Sequence, residues 1–239
     1  MRILLAADLH YALPHFDWIA RAADDHDVVA LAGDLLDIVS PVPIEAQIAA
    51  LRTTLLDLAG RTRLVVCSGN HDLNTRSVAG EKTTDWFEPL RDAGVTVDGD
   101  SLVTDDTVIT SIGWWDGPVA QAAVDAQLTA VDPGDRRWVW VYHSPPEGPL
   151  AWTGSRHYGD PVIADWVARW RPDAVLTGHI HQAPFTDAGS WVDRVGSTWL
   201  FNAGKQVGPV PAHVTIDLDA ATASWTGLTG TDDRSLLTT

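Results

Sequence analysis

Short apolar runs with many β-branched residues alternate along this chain with Ala- and Leu-rich segments, and this alternation limits the fold more than any other feature. It is typical of an α/β protein, in which strands and helices follow one another. We interpret the following runs as strands: RILLAA, VVALA, RLVVCS, TVITSI, WVWVY, DAVLT, STWLFNA and HVTIDL. The predicted helices are residues 16–23, the segment IEAQIAALRTTLLDLA, residues 119–128 and residues 161–170.

The length of the chain favours one domain. Its 239 residues are 45% hydrophobic, which is enough for one large core. No repeat, low-complexity tract or linker divides it, so we expect a single domain over residues 1–239. The C-terminal residues 228–239, which contain the stretch TGTDDRSLLTT, are expected to form a flexible tail.

The charge balance argues against several kinds of partner. The chain carries 32 acidic against 16 basic residues, a net charge of -16, and its only lysines are Lys82 and Lys205. Proteins that grip nucleic acid neutralise phosphates with Lys and Arg, so we do not expect nucleic acid or anionic membranes as partners unless a local field opposes the total charge. Cys67 is the only cysteine, which excludes an intrachain disulfide. The first apolar run is too short for a secretory signal, and we expect a cytoplasmic protein without a membrane span.

Residues that can bind metal ions follow five of the predicted strands. In open α/β sheets the site lies beyond the carboxyl ends of the strands, so these side chains are expected to converge. Asp and His at strand ends are often only caps or turn formers, which explains any one cluster but not five. The residues are Asp8 and His10, Asp34 and Asp37, Asn70 to Asp72, His143, and finally His179 and His181.

The last of these clusters shows why no single motif is sufficient. In an extended segment, side chains two positions apart project on the same side, so His179 and His181 face one point beyond the strand. A lone pair of this kind is more often a structural or surface feature than a metal site. The metal interpretation therefore depends on the other four clusters.

Taken in order, the five clusters resemble the pattern of the calcineurin-like metallophosphoesterase family. That pattern is D-x-H, G-D-x-x-D, G-N-H-D/E, a single His and G-H-x-H, and every part is present between Asp8 and His181. The resemblance implies a four-layer α/β fold in which two mixed β-sheets pack together and helices flank them. It also implies two divalent metal ions at the strand ends.

The resemblance further implies a role for each residue. Asp34 would bridge the two ions. The other implied ligands are Asp8, His10 and His181 for the first ion and Asn70, His143 and His179 for the second. This mixture of carboxylate, amide and imidazole ligands suits Mn, Fe or Zn, and it does not indicate which of these metals is bound. Two divalent ions would make the site positive within an acidic protein, which would admit an anionic phosphoester.

Three further residues of the motifs are not implied ligands. By the same resemblance, His71 donates a proton to the leaving oxygen, which suits an imidazole that titrates near neutrality. Asp72 either orients His71 or caps the turn. Asp37 is expected to have a structural role.

One difference from a branch of the family narrows the range of expected substrates. The protein serine/threonine phosphatase branch has Asp-Arg-Gly in its second motif, whereas Ile38 and Val39 follow Asp37 here. We therefore expect hydrolysis of small phosphodiesters by a metal-activated water. A phosphomonoesterase, a nuclease and a catalytically silent binding scaffold remain alternatives, although a scaffold need not keep His71. The sequence does not indicate an oligomeric state.

Two insertions, residues 73–94 and 144–160, could form walls of a substrate pocket. Aromatic and arginine side chains there could contact a base or a phosphate, but core packing is the more frequent role of a tryptophan. The side chains in question are Arg76, Trp86, Trp152, Arg156, His157 and Tyr158, together with Trp114 and Trp115. His15, His26 and His213 lie outside any motif and are interpreted as packing or surface residues.

Overall fold

The computed structural model describes residues 1–237, over which it contains fourteen strands and five α-helices. The helices are α1 (Leu13–Ala22), α2 (Ile44–Ala59), α3 (Glu88–Asp92), α4 (Pro118–Ala130) and α5 (Pro161–Trp170). The first seven strands are β1 (Arg2–Ala6), β2 (Val28–Ala32), β3 (Arg63–Cys67), β4 (Thr75–Arg76), β5 (Lys82–Thr83), β6 (Ser101–Val103) and β7 (Thr107–Ser111). The others are β8 (Arg137–Val141), β9 (Ala174–Thr177), β10 (Val192–Val195), β11 (Thr198–Asn202), β12 (His213–Asp217), β13 (Thr222–Gly227) and β14 (Gly230–Ser235).

Two six-stranded sheets form the centre of the molecule, in the orders β14-β13-β12-β1-β2-β3 and β10-β11-β9-β8-β7-β6. In the first sheet β1, β2 and β3 are parallel and β12, β13 and β14 are antiparallel. In the second sheet β7, β8, β9 and β11 are parallel, and an antiparallel strand lies at each edge. Both sheets are mixed, as expected, and β4 and β5 form a separate hairpin.

The central strands, such as β1 and β2, are almost continuously apolar because both of their faces are buried. In β1, Ile3 and Leu5 face the second sheet, whereas Leu4 and Ala6 face α1 and α2. The second sheet repeats this arrangement. Its outer face packs against α4 and α5 through several tryptophans, among them Trp138, Trp140 and Trp166. The result is the four-layer fold that the sequence predicted.

The predicted strands and helices are present with small shifts at their ends. The first helix begins at Leu13 rather than at residue 16, because a proline occupies its first turn, a position where no backbone N–H is needed. The helix predicted at 119–128 spans Pro118–Ala130, and the one predicted at 161–170 has those bounds. Helix α3, strand β13 and the short, partly exposed strands β4, β5, β6 and β10 were not predicted.

The predicted flexible tail is the main correction. Within it, β14 pairs with β13 from Gly227 opposite Gly230 to Thr222 opposite Ser235. This strand is an exposed sheet edge with the sequence GTDDRS, so backbone pairing supports it without the apolar alternation that would have revealed it. Thr238 and Thr239 lie outside the described residues.

Within residues 1–237, no helix has the length and apolar character that crossing a bilayer requires. The single-domain organisation stays a prediction.

Candidate metal centre

The carboxyl ends of both sheets bring together all seven predicted ligands. Asp8, Asp34 and Asn70 follow β1, β2 and β3 of the first sheet, while His143 and the pair His179 and His181 follow β8 and β9 of the second. Because neighbouring parallel strands end at the same edge, residues far apart in sequence meet here. His10 completes the set from the loop after β1.

The three side chains predicted for the first ion are in mutual contact. His181 Nε2 lies 3.1 Å from Asp8 Oδ1 and 3.3 Å from His10 Nε2. His10 Nε2 lies 3.9 Å from Asp8 Oδ1. One carboxylate oxygen and two imidazole nitrogens thus point at a common position, an arrangement able to hold a divalent cation.

The second predicted set is also assembled. His179 Nδ1 lies 3.2 Å from His143 Nε2, and the side chains come from adjacent strands of one sheet. The Asn70 amide oxygen is buried and has no hydrogen-bond partner within the described residues. A buried carbonyl oxygen without a donor is costly, so a cation at this position would satisfy it. This orphaned oxygen shows that the residues fit a metal ion here.

Asp34 lies between the two sets. Its Oδ2 is 3.7 Å from His10 Nε2 and 3.4 Å from His143 Nε2. The other oxygen, Oδ1, accepts a hydrogen bond of 2.8 Å from the backbone N–H of His71, which orients the carboxylate. A single carboxylate within reach of both sets is the geometry that a bridging ligand requires.

The electrostatics of the site favour cations. Burial works against the charged carboxylates, but nearby imidazoles, chiefly His143, lower the pKa of Asp34 below its usual range, and His181 helps to lower that of Asp8. Burial lowers the pKa of His179 to about 4, which keeps it neutral. Burial opposes the charge on His143 as well, yet Asp34 and Asp8 raise its pKa to about 9. The two carboxylates therefore attract positive charge to this position.

Hydrogen bonds from the backbone set the orientation of the histidines. His143 Nδ1 lies 2.7 Å from the carbonyl oxygen of Ala32 and donates to it, so Nε2 is the ring nitrogen that faces Asp34 and the predicted ions. The backbone N–H of His179 donates to Asp8 Oδ2 at 2.9 Å, which links the loops of the two sheets. The side chains of His143 and Asp8 are thus each held by the backbone of another element.

The backbone of the site is strained. Four of the predicted ligands have positive φ values, between 41° and 65°, a backbone conformation that residues other than glycine rarely adopt. They are Asp8, His10, Asp34 and His179. Such strain persists only where the surrounding contacts enforce it, and it concentrates at functional sites.

Two glycines of the motifs are required for close approach. A Cβ atom on Gly178 would lie 2.6 Å from Asp8 Oδ2. Gly33 has a φ of 84°, and a Cβ there would lie 2.5 Å from His143 Nδ1. Any side chain at either position would displace a predicted ligand.

His71 lies at the edge of this cluster, with its Nε2 3.8 Å from Asp34 Oδ2. Its ring is perpendicular to that of His10, with centroids 4.6 Å apart. The backbone N–H of Ile38 donates to His71 Nδ1 at 3.4 Å, so in the neutral ring the proton resides on Nε2. A protonated Nε2 has no lone pair for a metal ion, but it can donate its proton into the site.

Asp72 does not orient His71. Its Oδ1 accepts hydrogen bonds from the backbone N–H groups of Leu35 and Leu36, and its Oδ2 accepts one from Gly69. The fully buried carboxyl therefore ties the second motif loop to the third. These contacts favour the turn-cap alternative for Asp72 over a role in orienting His71. Desolvation by burial and the Asp34 carboxylate raise the pKa of Asp72 to about 7.

Asp37 has a local structural role, as predicted. Its Oδ1 accepts a hydrogen bond from the backbone N–H of Val39. Its own backbone N–H donates to Oε1 of the buried Gln47, whose Nε2 donates to the carbonyls of Asp37 and Val42. Gln47 thus fixes the loop after Asp34, a contact that no motif indicates.

Of the predicted wall residues, Trp114 lies nearest to the ligands. Its ring centroid is 5.2 Å from that of His179 and 5.6 Å from that of His143. Tyr158 is 6.3 Å from His179 and carries the Arg156 guanidinium over its own ring. These contacts make Trp114 a wall of the site and place Tyr158 at its rim.

The other wall candidates contact the core or their own loop. Trp86 is buried and donates to the backbone oxygen of Asp72, and Trp115 stacks on Tyr142. Arg76 donates to Gly80 within its hairpin. Trp152 and His157 pack against each other within their loop.

The side chains of His15, His26 and His213 do not join the ligand cluster. His26 bonds to Ala22 and Thr215, and His213 lies against Trp18. His15 is buried, and its Nε2 lies 2.8 Å from the carbonyl oxygen of Gly208. This contact joins His15 to the loop that contains Gly208. No sequence motif had indicated that this loop lies beside the site.

Comparison with known proteins agrees with this geometry. The family model for calcineurin-like phosphoesterases matches residues 1–183. The chain therefore belongs to the calcineurin-like phosphoesterase family, whose members normally bind a dimetal centre. No curated protein matches it by sequence.

Several solved structures share its fold. The protein TT1561 of Thermus thermophilus aligns over 99% of both chains, with 15% identity and a TM-score of 0.59. A dimetal phosphatase from Danio rerio also aligns over 99% of both chains, with 12% identity and a TM-score of 0.58. Purple acid phosphatase PPD1 from yellow lupin (Lupinus luteus) seeds matches 99% of this chain and 51% of its own, with 13% identity and a TM-score of 0.59. At these identities the likeness concerns the fold alone.

Proposed function

We propose that this protein is a binuclear, metal-dependent phosphodiesterase that hydrolyses small phosphodiesters. The observation that carries the proposal is the convergence of two carboxylates, four imidazoles and the unpartnered Asn70 oxygen at the carboxyl ends of strands from both sheets. One ion would be held by Asp8, His10 and His181. The other ion would be held by Asn70, His143 and His179, and Asp34 would contact both. A pair of divalent ions supplies Lewis-acid binding of the phosphoryl oxygens and a water acidified enough to act as nucleophile. Mn, Fe and Zn all suit this set.

The residues around the ions would complete the reaction. The His71 Nε2–H faces the site and would protonate the leaving oxygen, while the Ile38 N–H holds the ring in that tautomer. The alcohol product would depart on this side.

Diester specificity is supported by what surrounds His71. Ile38 and Val39, which are 60% and 82% exposed, occupy the positions after Asp37. Neither can balance the second negative charge of a monoester. The acidic surface also provides no continuous basic track for a polynucleotide, which argues against a nuclease.

The test compares kcat/KM at fixed Mn²⁺ for bis(p-nitrophenyl) phosphate, p-nitrophenyl phosphate and duplex DNA. We expect the diester to be the best substrate. Preference for the monoester would establish a phosphatase instead, and salt-sensitive cleavage of DNA would establish a nuclease. No turnover with any metal would support a binding scaffold.

A further inference from the structure

A second pocket opens beside the predicted ligand His181, whose side chain is 32% exposed. It has a volume of about 510 Å³, within the range of small-molecule sites. Phe185, Val207 and Leu228 make its walls largely apolar, and Lys205 and His181 also line it. We refer to it as the Lys205 pocket.

Three distant parts of the chain build its walls. The loop 204–210 is fastened to α1 by the hydrogen bond from His15 Nε2 to the Gly208 carbonyl, at 2.8 Å. The same loop is fastened to the turn between β13 and β14, because the backbone N–H of Leu228 donates to Gln206 Oε1 at 2.7 Å. Gln206 Nε2 donates back to the carbonyl of Val210 at 2.8 Å. The loop is therefore held at both of its sides.

Lys205 supplies a positive charge next to the predicted metal centre. Its backbone N–H donates to the carbonyl oxygen of His181 at 3.2 Å. Within residues 1–237 its ammonium forms no ion pair with a carboxylate, although the chain has twice as many acidic as basic residues. An unpaired, half-buried cation at an anionic-substrate site is suited to contact the substrate.

The position of the pocket indicates which part of a substrate it would accept. The ring of His10 contacts the rings of both His71 and His181, with centroids 4.6 and 5.1 Å away. A leaving group protonated by His71 would lie on the His71 side. The group on the His181 side would then be the one that remains on phosphorus.

We propose that the Lys205 pocket binds the non-leaving organic group of a phosphodiester, and that this group is an apolar aryl group. The inference rests on the proposed function and specifies its substrate class. The walls favour an aryl group over a sugar because both amide atoms of Gln206 are engaged within the wall, whereas Val207 and Leu228 are 79% and 69% exposed and available for contact. Lys205 would face the single charge of the diester.

The experiment uses two diesters with the same leaving group and the same charge, phenyl p-nitrophenyl phosphate and methyl p-nitrophenyl phosphate. The measured quantity is the phenyl-to-methyl ratio of kcat/KM. We expect the double variant V207S/L228S to lower that ratio about five- to tenfold relative to the wild type, because the ring loses its apolar contacts. The variant K205M should lower kcat/KM for both substrates by the same factor, since both carry one charge.

The matched control is V103S/V195S, which removes two exposed valines at the far edges of the second sheet. It should keep the wild-type ratio, and thermal melting should show that all the variants fold. A ratio unchanged in V207S/L228S, in an enzyme that hydrolyses both diesters, would refute the pocket while leaving the proposed function intact. Hydrolysis of neither diester by the wild type would refute the proposed function itself. Calorimetric titration with phenyl phosphonate gives a second readout, and V207S/L228S should weaken its binding more than the control does.

Discussion

The loops that carry the predicted ligands and the loops that wall the Lys205 pocket lie side by side but are built in different ways. The ligand loops are polar, buried and strained, with positive φ values at four of the seven predicted ligands. The pocket walls are apolar, exposed and unstrained at Val207 and Leu228. Long-range bonds hold them, such as the one between His15 and Gly208, 193 residues apart.

The difference shows how the two regions depend on sequence. In the ligand loops, function depends on the identity of a few residues in a fixed order, because only carboxylate, amide and imidazole groups can bind the ions. In the pocket walls, many apolar residues would serve, and the shape depends on contacts between distant elements. The ligand loops should therefore tolerate almost no substitution. Substitutions in the walls of the Lys205 pocket should instead change substrate specificity gradually.

The largest effect is expected at Asp34, which reaches both sets of ligands. Asp34→Asn keeps the shape but removes the charge, so both ions should bind more weakly and activity should fall by about 10³-fold or more. Metal analysis should find about two ions per chain in the wild type and clearly fewer in the variant. Chelation should have the same effect on activity. Asp37→Asn in the same loop is the control and should retain both ions. Full turnover by metal-free protein would disprove the two-metal site.

The next effect in size is expected at His71, which lies at the border between the ligand cluster and the substrate. His71→Ala should keep the metal ions but lose about 10²- to 10⁴-fold in turnover, as for loss of a general acid. The loss should be smaller with p-nitrophenolate than with an alkoxide leaving group, because a good leaving group scarcely needs a proton. His213→Ala, a histidine outside the site, serves as the control. An equal loss with both leaving groups would assign His71 to binding instead.

The difference between the ligand loops and the pocket walls also explains what could be predicted from the sequence. The ligand cluster was predictable because each motif follows an apolar strand, and parallel strands necessarily end at one edge. The α/β class followed from apolar strands such as β1 and β2 that alternate with helices, whereas the four-layer arrangement was implied by the family resemblance.

The rest depended on information that is absent from local sequence. The strand β14 is polar because its edge is exposed, so nothing distinguishes GTDDRS from a flexible tail. His15 and Gln206 contribute through single contacts with distant backbone, which no spacing reveals. Asp72 follows the predicted proton donor directly, and only the hydrogen bonds of the folded chain show that its carboxyl points at backbone N–H groups.

A smaller effect on activity, but a measurable one on stability, is expected at Asp72. Asp72→Asn places an amide N–H₂ where the carboxylate accepts hydrogen bonds from backbone N–H groups, which should lower the free energy of unfolding by about 2 kcal/mol. Denaturant titration measures this loss. Because Asp72 does not contact the His71 ring, the dependence of the rate on the leaving group should match the wild type. A variant of normal stability that reproduces the kinetics of His71→Ala would restore the orienting role.

The smallest effect is expected at Asp98, which joins a wall of the site to a ligand loop. Its half-buried side chain accepts a hydrogen bond of 2.8 Å from the backbone N–H of Ser68, and Ser68 Oγ accepts one of 3.0 Å from the backbone N–H of Trp114. Burial raises the pKa of Asp98 from its ordinary 3.8 to about 6, although Ser68 acts in the opposite direction. The folded protein therefore prefers the neutral carboxyl. The stability that this group contributes is complete below about pH 3.8 and declines as the pH rises through about 6.

Between about pH 5 and about pH 7.5 the wild type should lose about 1 kcal/mol of unfolding free energy that Asp98→Asn does not lose. Parallel denaturant titrations of the two proteins at both pH values measure this difference, and identical pH dependence would show that Asp98 is charged in the fold throughout this range.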